Sequence, residues 1–342
     1  MTDLVSTGEE GLLNLINRLN APGNKSNVAV DYAISGWTNF VANDDAKRTI
    51  AATTYGKALS QSLDDEIRTT LIRQLELIGN NDNVPVLSSF LTNSRLVRPA
   101  SQALVHINSE DADKVLAFAL TSTTTDDMRI SLANALVQID YQQAEPTILN
   151  LLKNNPSGNL QKVIYDGLGK IGTKASLQTL KDAAQKSGYA YQKANSTSSY
   201  ISLLNRLIKF DPALVKKEAE DLLKQATKLN KNDLKIAASQ LLLIIPATNK
   251  TNLIKSVLKD GNASYLTNVL NAYAYQNNPK ALSLILKELT PKATPDKQMA
   301  ILYWLGNLKI NSAVPNISSY LNSSNKNVQK AAINSLTKIG TQ

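Results

Sequence analysis

The chain has 342 residues, 43% of them apolar but only 5% aromatic, with no cysteine, one histidine and a net charge of +9. These counts exclude disulfide frameworks, thiolate chemistry and cysteine- or histidine-rich metal sites, and any Ser–His–Asp arrangement would have to use His106. The charge is uneven: residues 1–172 hold 14 Lys/Arg against 19 Asp/Glu, whereas residues 173–342 hold 23 against 9, with Arg206 the only arginine of the basic half. Lysine is a strongly hydrated point charge and arginine the usual bidentate phosphate ligand. With 35 asparagines beside these lysines, the first reading is a solvated surface shaped by composition bias.

The opening residues lack a basic start followed by an apolar stretch, so no secretory leader is read there. The expected compartment is extracytoplasmic if the sequence is a trimmed exported protein, and cytoplasmic otherwise. No apolar run approaches the ~20 residues of a membrane span. Apolar spacing over the first 80 residues predicts two helix pairs, 9–20 with 26–42 and 45–60 with 64–78. A third pair follows at 84–92 and 95–107, turning at Asn93-Ser94, and a fourth at 111–120 and 127–139. The last pair is 313–321 and 327–339, with capping residues (Asp, Asn, Ser, Thr) at the breaks.

Two signatures reveal a repeat. Val84-Pro85-Val86-Leu87-Ser88-Ser89-Phe90-Leu91 returns as Val314-Pro315-Asn316-Ile317-Ser318-Ser319-Tyr320-Leu321, with proline suited to a first helical turn. Each unit also ends on an apolar pair three residues apart: Leu75…Ile78, Leu104…Ile107, Leu136…Ile139, Leu168…Ile171, Leu207…Phe210, Leu242…Ile245, Leu305…Leu308 and Leu336…Ile339, with a weaker Ala272…Tyr275. Gly79, Gly172 and Gly340 follow three of these pairs, where a left-handed helix stop favours glycine. The expectation is all-α: a right-handed α-α superhelix of ten hairpins, 8–43, 44–79, 80–108, 109–140, 141–172, 173–211, 212–247, 248–277, 278–310 and 311–342. These would form one continuous domain over 1–342, its second helices lining the inner surface.

Val97-Arg98-Pro99-Ala100-Ser101-Gln102-Ala103-Leu104-Val105-His106-Ile107 resembles the second helix of a HEAT repeat, and Ile67-Arg68 and Met128-Arg129 occupy the same Val-Arg position of that pattern. The resemblance is strongest at 64–172 and 311–342 and weakest at 173–310. Residues 28–37 and 67–79 are also similar to HEAT segments of exported proteins of Bacteroidetes and Planctomycetes. Those segments often adjoin a jelly-roll domain associated with sugar breakdown, which this sequence lacks. The resemblance implies an ARM/HEAT-like solenoid and an extracytoplasmic bacterial scaffold, and implies nothing about catalytic residues.

Motifs that could carry chemistry have structural alternatives. Gly167-Leu168-Gly169-Lys170-Ile171-Gly172 matches the dinucleotide pattern but closes a helix, where that loop must open one. Arg68, Arg98 and Arg129 could bind anions, or pair with acidic groups of the adjoining repeat; Asp44-Asp45, Asp64-Asp65 and Asp126-Asp127 read as helix starts. His106 sits in a last helical turn with no recognisable nucleophile. Tyr265, Tyr273, Tyr275, Tyr303 and Trp304 form either an exposed binding patch or core replacements for leucine. Tyr189 and Tyr191 lie in 187–200, an insertion that could carry binding. The function expected is a non-catalytic scaffold for a protein partner, without cofactor or metal. A glycan or bilin-like ligand is a lesser possibility. The alternative is a nucleic-acid-binding or DNA-glycosylase-like repeat protein using the basic half, in which the lysines would line one groove with Arg206.

Overall fold

The computed structural model describes residues 2–21, 27–61, 63–190, 192–246, 248–273 and 278–340. Among them the chain is helical and forms no strand. Cα packing groups it into two compact units, 1–203 and 204–342.

In the first unit, α1 (Thr2–Val5), α2 (Gly8–Ile16) and α3 (Val28–Val41) are followed by α4 (Asp45–Leu59) and α5 (Asp65–Ile78). Next come α6 (Val84–Ser88) with α7 (Val97–Ile107), α8 (Glu110–Ser122) with α9 (Asp126–Gln138), and α10 (Glu145–Leu151) with α11 (Gly158–Ile171). After α12 (Lys174–Lys186), the division between units falls inside α13 (Ser196–Leu207). The second unit pairs α14 (Pro212–Lys228) with α15 (Asn232–Ile244), α16 (Lys250–Asp260) with α17 (Ala263–Ala272), α18 (Pro279–Glu288) with α19 (Pro295–Asn307), and α20 (Val314–Ser318) with α21 (Lys326–Gly340).

Most hairpins pack internally, and second helices pack on the next second helix: α5 on α7, α7 on α9 and α9 on α11 in one unit, and α15 on α17, α17 on α19 and α19 on α21 in the other. A second helix therefore has three covered sides and one free stripe. Asparagine and aspartate carry much of the punctuation. Asp64, Asp211, Asn249, Asn262 and Asn278 accept backbone N–H groups at helix starts. Asn108, Asp140, Asn155 and Asn230 take positive φ at turns, a conformation their short polar side chains tolerate.

The repeat anchors fill the core. Leu75, Leu104, Leu136, Leu168 and Leu305 are fully buried, and Leu207 and Leu242 nearly so. Three expectations need correction. Ala272 is exposed and Tyr275 lies outside the described residues, while Leu270 and Tyr273 are buried, so that anchor moves two residues earlier. Phe210 and Leu308 are exposed: both fall in turns, and positive φ at Lys309 brings Ile310 inward instead. Gly79 and Gly172 are extended rather than left-handed (φ −60° and −62°), and what requires glycine is space, since a Cβ would lie 2.5 and 2.2 Å from the carbonyl oxygens of Leu75 and Leu168. The helices expected at 84–92 and 313–321 shorten to 84–88 and 314–318. In these segments serine hydroxyls bond back to carbonyls, Ser88 to Pro85, Ser89 to Val86 and Ser319 to Asn316, offering the chain a turn instead of another helical residue.

Polar clamps tie neighbouring hairpins. Glu145, 5% exposed, accepts the Thr173 N–H and hydroxyl, both at 2.8 Å, and the Ser176 hydroxyl. Asp166 accepts from Lys162 at 2.8 Å, Asn195 at 2.7 Å and Ser199 at 3.1 Å. Burial pushes the Asp166 carboxyl upward, but the hydrogen bonds from Lys162, Asn195 and Ser199 outweigh it and hold the group below its ordinary value.

Three tests follow from this packing. A Cβ on Gly306 would sit 2.6 Å from Ser335 Cα, while one on Gly340 meets nothing within 4 Å. Gly306→Ala should lower unfolding free energy in urea by about 1–3 kcal/mol, with Gly340→Ala neutral or slightly stabilising. Glu145→Ala should cost about 1–3 kcal/mol by stranding buried donors, against less than about 0.5 for the exposed Glu110→Ala. Because the Asp166 carboxyl is depressed on folding, its contribution is present above the unfolded value near 4 and fades as pH drops through the folded one. The melting-temperature gap between wild type and Asp166→Asn should therefore narrow from pH 6 to pH 3; an unchanged gap would contradict the clamp.

Candidate functional site on the second helices

The predicted aromatic patch is mostly core. Tyr265 is 3% exposed, its hydroxyl 2.7 Å from Ser239 Oγ and its ring 5.5 Å beneath Lys235 Nζ. Tyr273 and Trp304 are buried and stacked, with ring centroids 6.2 Å apart. Of this group only Tyr303 reaches the surface; Tyr275 lies outside the described residues. Large rings here replace leucine between α17 and α19, where their polar edges find partners or the ring stack holds them.

The 187–200 insertion is also largely docked. Tyr189 is buried, at φ +54°, and Tyr191 lies outside the described residues. Ala194 is buried and Asn195 is fixed on Asp166, so the end of the insertion acts as a brace on α11.

The glycines, the acidic pairs and two of the three arginines make structural contacts. Gly169 lets α13 approach closely, its Cβ position lying 2.8 Å from the Ser199 carbonyl, and Gly167 similarly meets Val137 at 2.9 Å. Arg68 and Arg129 bond to Asp65 at 3.1 Å and Asp126 at 3.3 Å within their own hairpins. The reach into the adjoining repeat comes from the aspartates: Asp65 accepts from Asn93 and Asp126 from the Ser157 N–H. Arg98 is exposed, because it stands six residues before its anchor leucine where Arg68 and Arg129 stand seven. Asp44 and Asp64 cap α4 and α5, whereas Asp126 and Asp127 lie in the first turn of α9. His106 faces Glu76 of the neighbouring second helix at 3.4 Å.

Two open clefts, of 850 and 660 Å³, recur two hairpins apart between successive first helices. Their arginines, Arg129 and Arg68, are already held by the aspartates of their own hairpins, and Arg68 also lies over the Phe90 ring.

The free stripe of the second helices carries a regular pattern of polar residues. Two residues before each anchor leucine, with Leu270 as the corrected anchor, stand Arg73, Gln102, Asn134 and Asp166 in the first unit and Asn205, Gln240, Asn268, Tyr303 and Asn334 in the second. Six of these nine are primary amides. Asn134, Asn205, Asn268 and Asn334 are exposed, Gln102 and Gln240 half-buried. Asn268 bonds to its own helix at Ser264. Aligning the anchors would have exposed this row in the sequence; the shifted anchor at 270 concealed one member.

The lysines do not gather on this stripe. Lys174, Lys181, Lys255 and Lys259 lie on first helices, Lys170 and Lys338 at second-helix ends, and Lys209 and Lys309 in turns. Lys235 is buried and paired with Asp260 at 2.9 Å. This scatter removes the lysine groove that the nucleic-acid alternative required.

No helix among the described residues is long and apolar enough to cross a membrane, and none of their His, Asp and Glu side chains cluster in threes suited to a metal. Residues 119–200 match the family model for HEAT repeats. Comparison with curated proteins finds no match. Among solved structures, the chain is similar to Kap121p at TM-score 0.56 and 12% identity over 97% of this chain and 45% of that one. It is also similar to Kap121p bound to RanGTP, at 0.54 and 15% over 97% and 40%. The chain thus spans less than half the length of these relatives. At such identities the likeness is one of fold: this chain is an all-α solenoid of the HEAT/armadillo type.

Proposed function

We propose that this chain is a non-catalytic scaffold that binds protein, and that its second-helix stripe receives an extended polypeptide segment. The observation carrying this is the amide row. A primary amide offers two donors and an acceptor, the complement of a main-chain peptide group. Packed helices recur every 8–10 Å and an extended chain advances ~3.3 Å per residue, so where amides stand on successive second helices, as Gln102 and Asn134 do, they meet residues about three apart. Such recognition reads backbone more than side chains and needs no reactive group. Support also comes from the fold: in one solved relative, Kap121p is bound to a protein, RanGTP. The lone histidine is half-exposed and faces Glu76 of the neighbouring second helix.

Gln102 and Asn134 make no hydrogen bond among the described residues, so their replacement leaves the fold's own bonding intact. Peptides selected from a phage-displayed library against the intact chain should bind Gln102→Ala/Asn134→Ala about tenfold more weakly, from two bonds of about 0.5–1.5 kcal/mol each. The first-helix control Gln178→Ala/Gln185→Ala should bind as the parent does. Equal binding by both variants, or a library that yields no binder, would refute the assignment.

A further inference from the structure

The basic charge of the second unit has a location of its own. On α14 the exposed face carries Lys217, Lys224 and Lys228, on α16 Lys255 and Lys259, and on α18 Lys280 and Lys287. These spacings of four and seven keep the side chains of each helix on one side. All three are first helices of their hairpins, and α16 packs on α18. None of the seven lysines has an ion-pair partner among the described residues.

The acidic residues that could neutralise them are turned to other partners. Asp260, at the end of α16, holds the buried Lys235, and Glu288, at the end of α18, holds Lys297. Glu220 lies 3.9 Å from Lys216, and Glu218 and Asp221 are also engaged. Internal clamps thus consume carboxylates and leave lysine facing outward. Between the lysines stand Asn252, Ser256 and Ser283, exposed hydrogen-bonding groups without charge.

We infer that this first-helix face binds the phosphate backbone of a nucleic-acid duplex without reading its sequence. Lysine, serine and asparagine are groups that contact phosphate and position a protein on a duplex. A single strand would want aromatic platforms for its bases, and none of the large exposed apolar or aromatic side chains lies on α14, α16 or α18. The same lack disfavours a membrane surface, where a polybasic patch needs a second, apolar anchor for stable attachment. This face is separate from the amide stripe, so the inference does not rest on the peptide-binding proposal.

The test uses the intact chain and fluorescence polarisation at several salt concentrations. The probes are a 20-base-pair duplex of mixed sequence, one of its single strands, polyglutamate, and vesicles containing phosphatidylserine. The duplex should bind best, with log K falling against log salt at a slope of about −5, near −0.9 for each phosphate met. Lys255→Gln/Lys259→Gln/Lys287→Gln should weaken duplex binding more than tenfold and flatten that slope by about 3. Lys309→Gln/Lys326→Gln/Lys330→Gln removes equal charge elsewhere in the unit and should change affinity less than threefold. Circular dichroism should show both triple variants folded as the parent. The inference is overturned by absence of duplex binding at low salt, by tighter binding of vesicles, polyglutamate or the single strand, or by equal losses in the two triple variants.

Discussion

Everything in this fold depends on the second helix of each hairpin being covered by the second helices beside it. Most anchor leucines are buried because a neighbour closes over them, and glycine or serine at the contact lets the backbones come close. Gly169 against Ser199 and Gly306 against Ser335 repeat the same device in each unit. With three sides covered, a second helix can show the outside only a narrow stripe. The chemistry of that stripe is therefore restricted to one or two residues per hairpin.

That restriction explains the division of labour among polar residues. Carboxylates work as clamps: Glu145 and Asp166 bind the next hairpin, Asp65 and Asp126 hold an arginine on one side and the following turn on the other, and Asp260 and Glu288 hold lysines of second helices. Amides divide between helix caps, left-handed turns and the free stripe. Lysines whose carboxylates are taken face solvent on the first helices. Two surfaces of different character result, one dominated by amides and the other by lysines.

Much of this was legible in the sequence. Anchor leucines, hairpin boundaries and Asp/Asn caps rest on local rules, periodicity and hydrogen bonding within a few residues, which a linear reading can apply. Of the three arginines, Arg68 and Arg129 pair with carboxylates as expected, yet the partner is in the same hairpin and the bridge to the neighbour is made by aspartate, while Arg98 is exposed. The aromatics misled for a different reason. Tyr265, Tyr273 and Trp304 cluster in sequence as a binding patch does, but whether a ring faces in or out is set by the helix packed against it.

By itself the sequence determined an all-helical chain of paired helices with leucine-anchored second helices, because each pair's apolar stripe is written at helical spacing and no single pair can bury it. It also determined that cysteine chemistry is absent and that the basic charge lies late in the chain. Tertiary structure decided which anchors turn inward, placing Leu270, Tyr273 and Ile310 in the core where Ala272 and Leu308 had been expected. It decided too which lysines are spent on clamps and which are free. Those outcomes hang on contacts between residues some thirty positions apart, and a one-residue turn such as the one at Lys309 is enough to redirect them.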